Sequence, residues 1–214
     1  MPLFKFQLIN SDTHLLVWKI TETLQELLQQ VTLKDVCTTR LNGMKSEQHQ
    51  KGFLSVRMLL QAAGYTDFDM YYGEDGKPHL TDGKNISVSH SHNFSSLIIS
   101  KRNVGIDLEM QRQKIISIAE KFAINEMEYL NAADEPGYTR ALTTIWGVKE
   151  ALFKMISREG MSFKAHMYVH PFELGAHIGK ARVNFQDINK NYTFHCEELE
   201  GFTLVYTFED ETPV

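Results

Sequence analysis

The chain has 214 residues, 43% of them hydrophobic and 23% charged, with a formal net charge of −5. That length supports one large domain or two small ones, with a core that needs no staples. The acidic balance argues against a general nucleic-acid binder, whose footprint is basic, and no run approaches the ~20 apolar residues of a membrane span.

Two cysteines, Cys37 and Cys196, form neither a disulfide framework nor a metal spacing. The opening MPLFKFQLINSD lacks the basic-then-apolar pattern of a signal peptide. A cytoplasmic protein is expected.

In chain order, residues 3–9 and 14–20 read as strands joined by a turn at 10–12. Residues 21–31 read as a helix with Thr21 as its N-cap, because Leu24, Leu27, Leu28 and Val31 recur at helical spacing. Ser46 is placed to cap a longer helix to Ala63, ended by Gly64, with Phe53, Val56, Leu60 and Ala63 on its apolar face. Short strands follow at 68–72, 78–80, 86–90 and 95–100, separated by turn-rich EDGKP and TDGKN. The second half opens with a strand at 103–109 and helical stretches at 115–123 and 125–131, the latter capped by Asn125. DEPG at 134–137 breaks the chain, a long helix runs over 138–157, and strands come at 166–172, 180–186, 191–197 and 202–208. The expected fold is α+β, since long helices set apart from runs of short strands favour antiparallel sheets. Two similar lobes, 1–100 and 101–214, are expected, related by pseudo-twofold symmetry, each a long helix packed on a small, mostly antiparallel sheet.

Four stretches carry candidate chemistry. In VGIDLEM (104–110), strand alternation puts Gly105, Asp107 and Glu109 on one face. That face is either an ordinary polar strand surface or a set of oxygen ligands for a hard cation. In WGVKEALFK (146–154), Glu150 and Lys154 share a helix face, while Lys149 lies at the edge of a stripe through Leu142, Ile145, Leu152, Phe153 and Ile156. The plain alternative is a helix-surface ion pair worth ~0.2–0.5 kcal/mol. SVSHSH (87–92) ends a strand with Ser89 and His90, and GKPHL (76–80) is either a hairpin turn or a loop that brings Lys77 and Pro78 to a phosphate or a base.

Taken in this order and at these separations, GKPHL, SHS, VGIDLE and WGVKEALFK resemble the 4′-phosphopantetheinyl transferases, most closely their two-lobed, Sfp-type class. The resemblance covers about residues 46–165. It implies an enzyme that moves phosphopantetheine from coenzyme A to a serine of an apo acyl or peptidyl carrier protein, releasing 3′,5′-ADP, with Mg²⁺ on the pyrophosphate. By resemblance, Asp107, Glu109 and Glu150 are the metal carboxylates and Glu150 is also the base. Lys154 and Lys149 are phosphate-side cations, Ser89 and His90 meet the coenzyme A phosphates, and Lys77 and Pro78 line the adenine end. Lys45, Lys51 and Arg57 are candidates for the 3′-phosphate.

Two positions depart from the family pattern: Gly147 stands where Ser, Thr or Cys is usual, and Ser87 where Asn is frequent. A glycine inside a helix costs ~1 kcal/mol against alanine, so Gly147 suggests close backbone packing. The rival readings are a non-catalytic member that binds coenzyme A or a carrier, and a metal-dependent pyrophosphate hydrolase. A monomer is expected. Because carriers are acidic, the basic residues Arg112, Lys114 and Lys121, interleaved with Ile115 and Ile118, are the expected docking segment.

Overall fold

A hairpin begins the chain in this computed structural model, which describes residues 2–209. Strands β1 (Leu3–Asn10) and β2 (Thr13–Lys19) pair antiparallel, and Asn10 Oδ1 accepts from Asp12 N in the turn. Helix α1 (Leu24–Gln30) is capped by Thr23, not Thr21, because only Thr23 stands three residues before an acid: its hydroxyl accepts from Glu26 N while the Glu26 carboxylate takes Thr23 N. Helix α2 (Asp35–Asn42) has no counterpart in the sequence reading. It buries only Cys37 and Leu41, too few to write a stripe.

Ser46 does cap α3 (Glu47–Ala62), accepting from His49 N at 3.4 Å. Every residue from Gly52 to Leu60 is buried, so this helix is wrapped on all sides there. Strands β3 (Met70–Tyr72), β4 (Pro78–Leu80), β5 (Asn85–Ser91) and β6 (Phe94–Ser100) complete an antiparallel sheet in the order β1-β2-β6-β5-β4-β3. The core of this unit, Met1–Asn103, lies between α3 and the sheet, with Trp18, Leu54, Leu59, Met70 and Leu97 among its buried residues.

The second unit, Val104–Val214, has its own core. Strand β7 (Val104–Met110) leads into two 3-10 segments, Gln113–Lys121 and Glu126–Glu128, where ordinary helices were expected. Asn125 makes no side-chain cap, and the carbonyl of Phe122 goes to a lysine rather than to a helical N–H. DEPG turns out to be a helix start. Asp134 accepts from Gly137 N, Pro136 sits in the first turn where its missing N–H costs nothing, and α4 runs over Glu135–Ile156. Where a strand was expected from residue 166, Ser162 caps a short helix α5 (Phe163–His166), which leaves only β8 (Met167–Val169). Strands β9 (Ile178–Phe185), β10 (Ile188–Leu199) and β11 (Phe202–Phe208) close an antiparallel sheet ordered β7-β11-β10-β9-β8. The fold is α+β, each unit setting one long helix on an antiparallel sheet. Among the described residues no helix is long and apolar enough to cross a membrane.

Candidate functional site

Two glycines bring α4 down onto the sheet. A Cβ on Gly105 of β7 would stand 1.8 Å from the Ala151 carbonyl oxygen, so only glycine lets the helix backbone approach the strand this closely. On the helix side, a Cβ at Gly147 would meet Val205 Cγ2 at 3.0 Å and Asp107 Oδ2 at 3.7 Å. The glycine at 147 therefore lets the helix backbone pack closely against the Val205 and Asp107 side chains.

The contact gathers charge. Asp107, facing Val205 in the β7–β11 ladder, is 3% exposed, and its Oδ1 accepts from Lys154 Nζ at 2.7 Å. Lys154 Nζ also donates to the Ile106 carbonyl at 3.1 Å. Glu150, one helical turn before Lys154, is half-buried. Burial first, then the neighbouring Asp107 and Glu109 carboxylates, push the Glu150 carboxyl up to about 7, against the opposing pull of Lys154. Three carboxylates thus share a poorly solvated corner with one ammonium. Their all-oxygen donor chemistry suits a hard divalent cation, and the raised proton affinity of Glu150 marks negative charge that such a cation would relieve. Among the described residues no three His, Cys, Asp or Glu side chains stand close enough to enclose an ion as they are, and Lys154 holds one Asp107 oxygen.

Lys149 does not join this cluster. The sequence reading put it at the edge of the apolar stripe as a phosphate-side cation, but its side chain has 0% exposure and its Nζ is 2.7 Å from Glu126 Oε1. Burial pulls the lysine's pKa down, and the Glu126 charge and hydrogen bond oppose that. Glu126 Oε2 has no hydrogen-bond partner among the described residues. Nothing in the sequence marks Glu126: it follows a candidate cap in a stretch with no motif, and only the tertiary fold brings it to Lys149.

The first unit separates its candidates as well. Arg57, expected at a phosphate, is 2% exposed, with Nε on Asp67 Oδ1 at 3.0 Å and its guanidinium 3.5 Å from the Phe53 ring centre. It ties α3 to the 3-10 turn Asp67–Asp69 inside the core and has no route to a ligand's phosphate. Lys45 is exposed just before α3, and Lys51 is half-exposed within reach of the Glu26 charge. His90 is exposed at the end of β5, beside a nearly buried Ser89. A Cβ at Gly52 of α3 would come within 2.8 Å of His90 Nδ1, so this glycine leaves room for the imidazole. Lys77 donates to Asn103 Oδ1 at 3.3 Å, and Pro78 opens β4 opposite Tyr72.

A groove of about 180 Å³ in the second unit is lined by Arg112, Lys114, Ile115, Ile118, Thr143 and Trp146, and Glu109 and Met110 complete it. It joins the segment singled out as basic and apolar to one carboxylate of the acid cluster.

Two comparisons with known proteins bear on the chain. Residues 103–206 match the family model described as the 4′-phosphopantetheinyl transferase superfamily. A protein of Aneurinibacillus migulanus named 4′-phosphopantetheinyl transferase gsp is 31% identical over 86 residues, which is 40% of this chain and 36% of that protein. The chain therefore spans little more than a third of the curated relative it matches.

Proposed function

We propose that the chain is a 4′-phosphopantetheinyl transferase, a reading supported by the match of residues 103–206 to that superfamily's model, and that it moves the phosphopantetheine arm of coenzyme A onto a serine of an apo acyl or peptidyl carrier protein. The observation that carries this reading is the convergence of Asp107, Glu109, Glu150 and Lys154 where β7 meets α4, with the Glu150 carboxyl held near 7.

Each group then has a task. Glu150 accepts the proton of the carrier serine hydroxyl, directly or through a water, as that oxygen bonds to phosphorus and the P–O bond to departing 3′,5′-ADP breaks. A base must hold its carboxylate within hydrogen-bond reach of the proton it removes, and Glu150 sits in the same cluster as Lys154, beside the proposed phosphate position. Lys154 sets a positive charge beside the phosphates and stabilises charge on the leaving group. Asp107, Glu109 and Glu150 would hold a divalent cation, Mg²⁺ being the hard ion such oxygen donors suit, and when bound it neutralises pyrophosphate charge.

In the first unit, His90 and Ser89 are proposed to meet the coenzyme A phosphates, Lys77 and Pro78 the adenine end, and Lys45 and Lys51 the 3′-phosphate. The groove along Arg112, Lys114, Ile115, Ile118 and Trp146 is proposed to receive the carrier. Its cations suit an acidic partner and its aliphatic and indole groups supply apolar contact.

The test is mass spectrometry of a panel of apo carriers from fatty-acid, polyketide and peptide assembly, incubated with the protein, coenzyme A and Mg²⁺. A mass gain of one phosphopantetheine on the serine supports the reading. No gain on any carrier overturns it, and 3′,5′-ADP release without a carrier would favour hydrolysis instead.

A further inference from the structure

The proposed reaction leaves Lys149 unused, yet its burial is costly. A fully buried ammonium has lost its hydration, a cost that only several close acceptors offset. Lys149 Nζ has four: Glu126 Oε1 at 2.7 Å and the carbonyls of Phe122 at 2.6 Å, Met167 at 3.0 Å and Phe163 at 3.2 Å. They come from four pieces of chain: the end of the Gln113–Lys121 segment, the Glu126–Glu128 turn, the start of α5 and the start of β8. Glu126 Oε1 also accepts from Val169 N, so the same carboxylate holds the far end of β8.

Beside this knot, the Trp146 ring stands edge-on to Phe122 and Phe163, with centroids 5.1 and 5.5 Å away. Trp146 also lines the groove with Arg112, Lys114, Ile115 and Ile118. One ammonium thus ties Phe122, the residue after the Gln113–Lys121 segment that carries Lys114, Ile115 and Ile118 of the groove, to the helix that carries Trp146 and Glu150.

We propose that Lys149 and Glu126 are positioning residues for the carrier protein: they hold the 112–118 wall of the groove in register with α4, and thereby set how an acidic partner presents its serine to Glu150. The proposal rests on the carrier-transfer reading above. An apolar pair could fill the same space, but it would not impose directional bonds on four separate segments. Small misplacement of a docking surface is expected to cost binding of the large partner before it costs binding of coenzyme A.

Lys149→Met and Glu126→Gln in the intact protein test this, read by hydrogen exchange and by steady-state kinetics well below each variant's Tm. In both variants, amides of residues 113–121 should exchange about tenfold faster or more, while those of β10 and β11 keep wild-type rates. The carrier KM should rise about tenfold or more, with the coenzyme A dissociation constant within about twofold of wild type. Weakened coenzyme A binding with an unchanged carrier KM would overturn the proposal and return Lys149 to the phosphates. Faster exchange throughout the unit, or local exchange without a change in carrier KM, would also overturn it. If Lys149→Met fails to fold, Glu126→Gln, which keeps its shape and leaves the three carbonyl bonds, decides by the same two readouts. If the wild type transfers to no carrier, the functional reading and the docking role fall together, while the exchange map still judges the brace.

Discussion

Lys149 and Lys154 lie on the same helix, and each meets a carboxylate at 2.7 Å, yet the two pairs sit in opposite surroundings. Lys149–Glu126 has no exposure on either side chain and the ammonium has four acceptors; Lys154 is 28% exposed, and its partner Asp107 belongs to a cluster that holds two further carboxylates. The first pair is closed and nearly balanced. The second has a surplus of negative charge and an opening to solvent, as the proposed cation and phosphate site requires. Distance alone does not separate a structural ion pair from a functional one; charge balance and access do.

The sharpest way to break this comparison is to remove the buried carboxylate of the open pair. Asp107→Ala should remain folded by circular dichroism and lose phosphopantetheine transfer. Wild-type rates at ordinary Mg²⁺ would show that the cluster is not the site. Glu150→Gln keeps the size and removes the charge, and should lower kcat by about 10²-fold while coenzyme A still binds. Lys154→Ala should lower kcat and weaken coenzyme A binding together, since its charge meets phosphate before and during the reaction. Normal rates in both would reduce the open pair to a helix-surface contact.

The closed pair should respond in stability. Lys149→Ala leaves the Glu126 carboxylate buried without its cation and should cost about 3–5 kcal/mol, read by chemical denaturation. A loss under about 1 kcal/mol would place the pair among weak surface bridges instead. On the groove, reversing Arg112 and Lys114 to Glu should raise the carrier KM about tenfold at low salt and leave coenzyme A affinity alone. An unchanged KM would move docking elsewhere.

The smallest expected effect is on pH dependence. Because the Glu150 carboxyl is raised from 4.5 to about 7 in the native state, the native protein keeps a proton that the unfolded chain has released. Stability from this group is therefore fully present below pH about 4.5 and is lost as pH rises through about 7. Glu150→Gln should melt a few degrees above wild type at pH 8, and the difference should vanish near pH 4. An equal difference at both pH values would mean that the carboxylate is not strained by its neighbours. Added Mg²⁺ should narrow the gap at pH 8, because it stabilises only the wild-type cluster.

The sequence by itself determined much of this protein: period-two strands at both ends, the Ser46 cap, the long apolar helix behind Trp146, and a Gly105-Asp107-Glu109 alternation that had to put two acids on one strand face. These depend on neighbours within a few residues, and local backbone geometry is enough to read them. What stayed hidden depends on partners distant in sequence. Helix α2 buries too little to leave a periodic mark, and DEPG reads as a break until Asp134 is seen to cap Gly137. Arg57 and Lys149 have the same composition signal as ligand-binding cations, but Asp67 and Glu126, brought to them by the fold, turn both inward. Desolvation decides the role of a charge, and which charges are desolvated is a property of tertiary packing alone.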